Sequence, residues 1–397
     1  MTHNKRATRA RIPGRRHMTL KLMMAAACVA ALGTAAVADG HGGTLKVGMI
    51  TTLSGGGAGL GIDVRDGFML AAKGNENLEL VIEDDQRKPD IAVQLADKMI
   101  QSEKVDVMTG IIWSNLAMAV VPAATAQGAF YLSPNAGPSA LAGRGCHENY
   151  FNVSWQNDAF YEAGGAWASE NGIEKVFLIA PNYPAGKDGM TGFKRTFTGE
   201  VVNEVYTKLG QTDYAAEIAQ IRASDADTVY FFLPGGMGIS FMKQYSGSGV
   251  DKTVMGPAFS FDQGILGAIG EAALGVKNTA HWSKDLAVPG NADFVAAFQA
   301  EYGRLPSLYA AQGYDTALLL TSAMGKADVK DKDAFRAALK EADFQSVRGK
   351  FAFADNHHPI QDIYMREVVK EGDVVTNRIV GVAATDHSDV YGADCKM

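Results

Sequence analysis

Three places in this 397-residue chain hold residue types able to do chemistry. The run Gly55 to Gly61 is glycine-rich, as in loops that cradle phosphate; Asp84-Asp85 offers two carboxylates, and His357-His358 two imidazoles. Each fails a spacing test. The glycines do not fall at G-x-G-x-x-G, and Gly186-Lys187 lacks both the earlier glycine and the following Ser/Thr of a Walker loop. Asp84 and Asp85 are neighbours at the end of an extended segment and point apart, so a solvated strand end or a helix cap is expected. His357-His358 stands before Pro359 in an expected loop, where a solvated pair is a better reading than a metal site. No G-x-S-x-G elbow and no HExxH occurs. Nothing assembles a nucleophile, a base and an orienting group, so no enzyme, metal or cofactor is expected.

What remains is chemistry of binding. Ser54 to Leu60, Trp113-Ser114-Asn115 and Asn135 to Ser139 each follow the end of an expected strand. In an open α/β sheet, ligands bind beyond the carboxyl ends of strands, where loops feed helix N-termini. Free N–H groups there, with Ser and Asn side chains beside them, suit a carboxylate.

The elements that position these loops follow from periodicity. Strands at Thr44 to Thr51, Leu78 to Glu83, Val105 to Ile112 and Ala129 to Ser133 alternate with helices ending near Lys73, at Pro89 to Glu103 and at Ser114 to Gln127. After a pause at Asn135 to Ser154 the alternation resumes, with strands at Lys175 to Ala180, Val201 to Thr207, Thr228 to Leu233 and Thr253 to Met255. Helices are expected between them at Asp158 to Asn171, Lys187 to Phe197, Asp213 to Ala223 and Gly238 to Tyr245. Helices at Ala292 to Tyr302, Ser307 to Gly325 and Asp331 to Ala342 precede three closing strands, with Glu371-Gly372-Asp373 as a hairpin turn. Two mostly parallel sheets with helices on both faces are implied, without a flexible tether between them.

Charge narrows the partners. The net charge is -7, but the first 38 residues hold seven bases and no acid, which leaves 30 bases against 44 acids, or -14, beyond them. A body that acidic argues against nucleic acid and against an anionic membrane surface. The basic stretch to Lys21, the apolar run Leu22 to Val37 and Ala36-Val37-Ala38 read as a signal peptide, residues 1–38, cleaved before Asp39 and directing the chain to a periplasm. Cleavage leaves Cys146 and Cys395. An even pair without CxxC spacing, in an oxidising compartment, favours one structural disulfide over a redox or metal site, with two unpaired buried thiols as the alternative.

Val47-Gly48 to Ser54-Gly55, Gly110 to Pro122, Leu132-Ser133-Pro134, and Gly303-Arg304-Leu305-Pro306 followed by Tyr314-Asp315 resemble the solute-binding proteins of the branched-chain amino acid family of ABC importers. The resemblance covers essentially the whole mature chain. It implies two doubly wound parallel-sheet lobes joined by a three-crossing hinge, the type I periplasmic binding fold, with residues 44–154 and 284–345 in lobe 1 and 155–283 and 346–397 in lobe 2. It also implies a monomer with a small-molecule ligand in the cleft, delivered to an ABC permease and ATPase complex at the inner membrane.

The family's pocket positions can be taken one by one. Ser54, Ser114, Asn115, Asn135 and Ala136 fall in the lobe 1 loops, Leu60 replaces an aromatic, and Gly137 stands where a Thr usually stands. Amino-acid binders often have Gly-Pro-Glu after a second-lobe strand, whereas here Gly256-Pro257 is followed by Ala258. An ammonium buried without a counter-charge costs several kcal/mol, so the ligand is expected to lack an α-amino group. Trp113, Tyr183, Phe259, Phe261 and Trp155 offer rings instead, and Trp155-Gln156-Asn157-Asp158 and Pro181 to Asp188 look similar to segments of members that bind benzoates and hydroxycinnamates. The alternative is a branched-chain or other neutral amino acid, with Asp262 supplying the acid from a shifted position.

Overall fold

The computed structural model describes residues 44–397; the signal-peptide reading lies outside them. The first sheet is five-stranded and wholly parallel, in the order β2-β1-β3-β4-β5. Its strands are β1 (Leu45–Thr51), β2 (Leu78–Asp84), β3 (Val107–Thr109), β4 (Phe130–Ser133) and β5 (Tyr150–Asn152). Helices α1 (Ala58–Ala72), α2 (Pro89–Gln101), α3 (Ser114–Ala126) and the short α4 (Ser139–Ala142) alternate with them. β1 reads Leu-Lys-Val-Gly-Met-Ile-Thr with all but one residue fully buried, as a strand covered on both faces must be.

The second sheet has eight strands in the order β11-β12-β10-β9-β8-β6-β7, with β13 paired to β12. Strands β6 (Lys175–Pro181), β7 (Glu200–Thr207), β8 (Thr228–Phe231), β9 (Thr253–Pro257) and β10 (Lys277–Ala280) are parallel. Short β11 (Phe351–Phe353) and long β12 (Pro359–Glu371) and β13 (Val374–His387) are antiparallel. Interleaved are α5 (Ala159–Glu170), α6 (Pro184–Thr196), α7 (Ala215–Ala223), α8 (Gly236–Gly247) and α9 (Gln263–Ile269). Then α10 (Asn291–Tyr302), α11 (Leu308–Met324) and α12 (Lys332–Glu341) return to the first sheet. There α11 lies so close to α1 that a methyl group on Gly313 would sit 2.0 Å from the Val64 carbonyl oxygen. Leu45, Val47, Met49, Phe68, Phe130, Leu319 and Phe335 fill the core beneath.

The chain passes between the sheets after β5, after β10 and after α12, and Arg348, in the last of these passages, ties it to the first. Wholly buried, it pairs with Asp315 of α11 at 2.7 Å, donates to the Val153 and Ser154 carbonyls of the first passage, and reaches Gln361 of β12. A buried guanidinium with this many acceptors is held in one place.

Several expectations need correction. α4, β5, α9 and β10 were not anticipated; α4 and β5 are four and three residues long, and the α9–β10 region is rich in Gly and Ala without a clear period. Helix α6 begins at Pro184, three residues before Lys187, because proline suits a first helical turn. His357 and His358 are not solvated: they are 4% and 0% exposed, and His357 stacks flat on Phe151 at 4.1 Å. Burial lowers the His357 pKa to about 4 and depresses that of His358, so both rings are neutral. Among the described residues no group of three or more His, Cys, Asp or Glu is placed to hold a metal, and no helix is long and apolar enough to cross a membrane.

Candidate functional site

A small cavity of about 20 Å³ lies between the lobes, far below the roughly 300–1,000 Å³ common for ligand pockets, so a ligand must part the lobes to enter it. From the first lobe come Leu60 of α1, Ile112, Trp113 and Ser114 at the start of α3, Asn135 beyond β4, and Tyr309 in the first turn of α11. Trp155 comes from the first passage, and Tyr183, Ala185, Phe232, Pro234 and Phe259 from strand ends of the second lobe. All but Tyr309 lie at or just beyond the carboxyl ends of parallel strands, which is why they converge.

Six of the twelve lining residues carry aromatic rings. Trp155 lies 4.1 Å from Phe259, centre to centre; Phe259 is 6.0 Å from both Phe232 and Tyr309, and Tyr183 is 6.2 Å from Phe232. Trp113 closes against Tyr183 across the cleft at 6.3 Å. Its indole N–H donates to Thr52 Oγ1 at 2.9 Å, and that hydroxyl donates to Asp85 Oδ1 at 2.7 Å, so Trp113 has one orientation.

The cavity's polar groups are few and largely unspent. Trp155 Nε1 and Asn135 Oδ1 are buried without any hydrogen-bond partner, while Asn135 Nδ2 donates to the Ile112 carbonyl. Burial holds the Tyr183 and Tyr309 phenols protonated, with pKa values pushed well up. Ser114 Oγ accepts from Asn157 Nδ2 at 3.2 Å at the N-terminus of a 13-residue helix. No lining residue carries a formal charge. An apolar slot with uncharged donors suits a small, largely aromatic ligand with an acceptor end.

A sequence model of the periplasmic binding protein family matches residues 44–373. The chain belongs to that family. Leu/Ile/Val-binding protein homolog 6 of Brucella melitensis is 29% identical over 377 residues, which are 89% of this chain and 94% of that protein. An ABC-transporter solute-binding protein from R. palustris, solved in complex with benzoate, is 33% identical with a TM-score of 0.84, over 89% of this chain and 100% of that one. Another, from Rhodopseudomonas palustris BisB5 in complex with 3,4-dihydroxy benzoic acid, is 31% identical with a TM-score of 0.79, over 86% and 98%. The architecture is that of a type I periplasmic binding protein. Membership of that family implies a place outside the cytoplasm.

Of the binding protein's anticipated site residues, Leu60, Trp113, Ser114, Asn135, Tyr183 and Phe259 line the cavity, with Trp155. The others lie around it. Ser54 is exposed; Asn115 is half-buried one position behind Ser114. Ala136 turns its carbonyl oxygen to Ser133 Oγ and Tyr150 OH. Gly137 is a close backbone crossing, where a methyl group would sit 2.0 Å from the Trp155 carbonyl oxygen. Asn157 and Asp158 join the lobes instead of facing the cavity. Asn157 Nδ2 donates to Asp188 of α6 at 2.8 Å, while Asp158 accepts from Ser139, Arg195 and Tyr391. Ala258 is wholly buried in a turn after β9. Asp262 caps α9 through Gly264 N–H and accepts the Leu308 N–H at 3.0 Å, so both oxygens are committed away from the cavity. Phe261 is core, packed on Phe231.

Sequence reasoning missed Ile112, Ala185, Phe232, Pro234 and Tyr309. Phe232 was findable, since it directly follows β8 and the strand-end rule applied to it as it did to Trp113. Cys146 and Cys395 are joined in a disulfide with Cα atoms 5.6 Å apart, linking the loop before β5 to the tail after β13.

Proposed function

We propose that this binding protein captures an aromatic carboxylate of the benzoate or hydroxycinnamate type. The observation that carries the reading is the cavity wall: six rings, uncharged donors, and no acid to balance an ammonium. Asp262, the acid held in reserve for an amino acid, has both oxygens engaged elsewhere. An α-amino group would enter uncompensated, at a cost on the order of 2 to 5 kcal/mol, or roughly thirty-fold to several-thousand-fold in affinity. The benzoate and dihydroxybenzoate complexes of the two similar binding proteins support the same class. In this reading the carboxylate sits at the N-terminus of α3 beside Ser114, and the ring lies among Trp155, Tyr183, Phe232 and Phe259.

A second reading, a branched-chain amino acid, rests on the unpartnered Asn135 Oδ1, an acceptor able to face an ammonium, and on the name of the Brucella relative. Calorimetric titration of ligand-stripped protein with benzoate, 4-hydroxybenzoate, a hydroxycinnamate, leucine and phenylalanine decides between them. Tighter binding of either amino acid than of every aromatic acid would overturn the first reading.

A further inference from the structure

The turn after β2 contains a conformational outlier. Gln86 and Arg87 are consecutive non-glycine residues in the left-handed region, at φ of 51° and 58°. Such residues are costly and persist only where the surroundings impose them. Here Asp84 Oδ1 accepts the Gln86 N–H at 2.9 Å, and Asp85 Oδ1 accepts the Arg87 N–H at 2.7 Å. The same Asp85 oxygen anchors Thr52, which holds the Trp113 indole. One buried carboxylate thus fixes both the cavity wall and the turn beside it.

That turn aims Arg87 at the cleft. Its guanidinium carbon lies 5.4 Å from the centre of the Trp113 ring. The guanidinium also reaches the second lobe, since a methyl group on Gly210 would sit 2.9 Å from Arg87 Nη2. Gly210 belongs to a turn closed by the Gln211 N–H on the Lys208 carbonyl oxygen, and Thr207 before it accepts the Asn182 N–H beside Tyr183. Arg87 therefore spans from the first-lobe wall, Trp113, to the loop carrying the second-lobe wall, Tyr183. Among the described residues it forms no ion pair, so its cation is not committed to a carboxylate.

We propose that Arg87 is the clasp of the cleft: a positioning residue gripped between Trp113 and the 208–211 turn when the lobes meet, which sets how slowly the ligand leaves. A contact made only between closed lobes shifts the population toward the closed state, and escape requires opening. The clasp does not depend on which ligand is bound.

The test uses the whole mature protein and the variants Arg87→Gln and Arg87→Lys. Stopped-flow fluorescence gives association and dissociation rates for benzoate, or for leucine if benzoate fails to bind the wild type. That wild-type result judges the ligand reading, and the variant-to-wild-type ratio judges the clasp. Loss of a partly desolvated cation–π contact should speed dissociation from Arg87→Gln by roughly three- to thirtyfold, with Arg87→Lys in between. Association rates should change less than about twofold at 0.15 M salt, and ligand-free melting should be unmoved because the side chain is half-exposed. Dissociation from Arg87→Gln within about 1.5-fold of the wild type would overturn the proposal. So would a faster release matched by an equal loss of ligand-free stability in both variants, which would make the residue merely structural.

Discussion

Trp155→Phe separates what the ligand-free protein needs from what the ligand uses. The indole N–H is buried with no acceptor, a state that costs about 1–3 kcal/mol relative to a satisfied donor. Replacing the indole by phenyl removes that penalty. It also forfeits packing against Phe259 at 4.1 Å and Phe160 at 5.0 Å, worth roughly 1 kcal/mol for the small void left behind. The two effects oppose, so the ligand-free variant should melt near the wild type. Binding is different, because an acceptor on the ligand would be the first partner this N–H has. A hydrogen bond to a carboxylate is worth about 1.5–3 kcal/mol and one to a neutral hydroxyl about 0.5–1.5, or roughly 10- to 150-fold and two- to tenfold in affinity. Calorimetry with benzoate and 4-hydroxybenzoate reads which end is recognised. Losses with both acids place the carboxylate at Trp155, and a smaller loss confined to 4-hydroxybenzoate places the ring hydroxyl there. Affinities for both within twofold of wild type would refute the idea that the orphan N–H is kept for the ligand.

Other consequences can be checked on purified protein. In the unfolded chain His357 takes up a proton below about pH 6.5, whereas burial delays this to about pH 4 in the fold. Its stability contribution is therefore present above pH 6.5 and lost as pH falls through 4, up to about 3 kcal/mol, and His357→Asn should flatten the denaturant-measured slope across that window. Periplasmically expressed protein should show no alkylatable thiol without reductant, and reduction of Cys146–Cys395 should cost about 2–5 kcal/mol; two labelled cysteines in the unreduced protein would contradict the pairing. Gly313→Ala, forced against the Val64 carbonyl oxygen, should lower unfolding free energy by about 1–3 kcal/mol, and an unchanged midpoint would mean α1 and α11 can separate freely.

Much of the fold was legible because buried parallel strands are continuous apolar runs between amphipathic helices, as at β1, α2 and β6. The strand-end rule then put Trp113, Ser114 and Asn135 at the cavity without coordinates, and Tyr183 was found as a ring at a loop position. It failed where the outcome turns on which way a side chain faces: Ser114 lines the cavity, but Asn115 sits behind it. Asp262 misled because a helix cap and a ligand counter-charge look alike in sequence, and only its bonds to Gly264 and Leu308 distinguish them. Tyr309 was out of reach, since it arrives through a late passage of the chain and meets Phe259, 50 positions earlier, and Trp155, 154 positions earlier, only in the fold. The buried histidines were misjudged for a related reason: Phe151, which covers His357, is distant in sequence.

The bond between Cys146 and Cys395 also sets what a pulling experiment could extend. A force applied at the two chain ends is carried from Cys146 straight to Cys395, so the residues between them, a separation of 249, bear no tension. Among the described residues only those before Cys146 and the two after Cys395 can unravel, about 350 Å of contour at roughly 3.4 Å per residue. All of the second sheet, its strands β6 to β13, falls inside the sheltered ring and would lengthen the trace only after reduction.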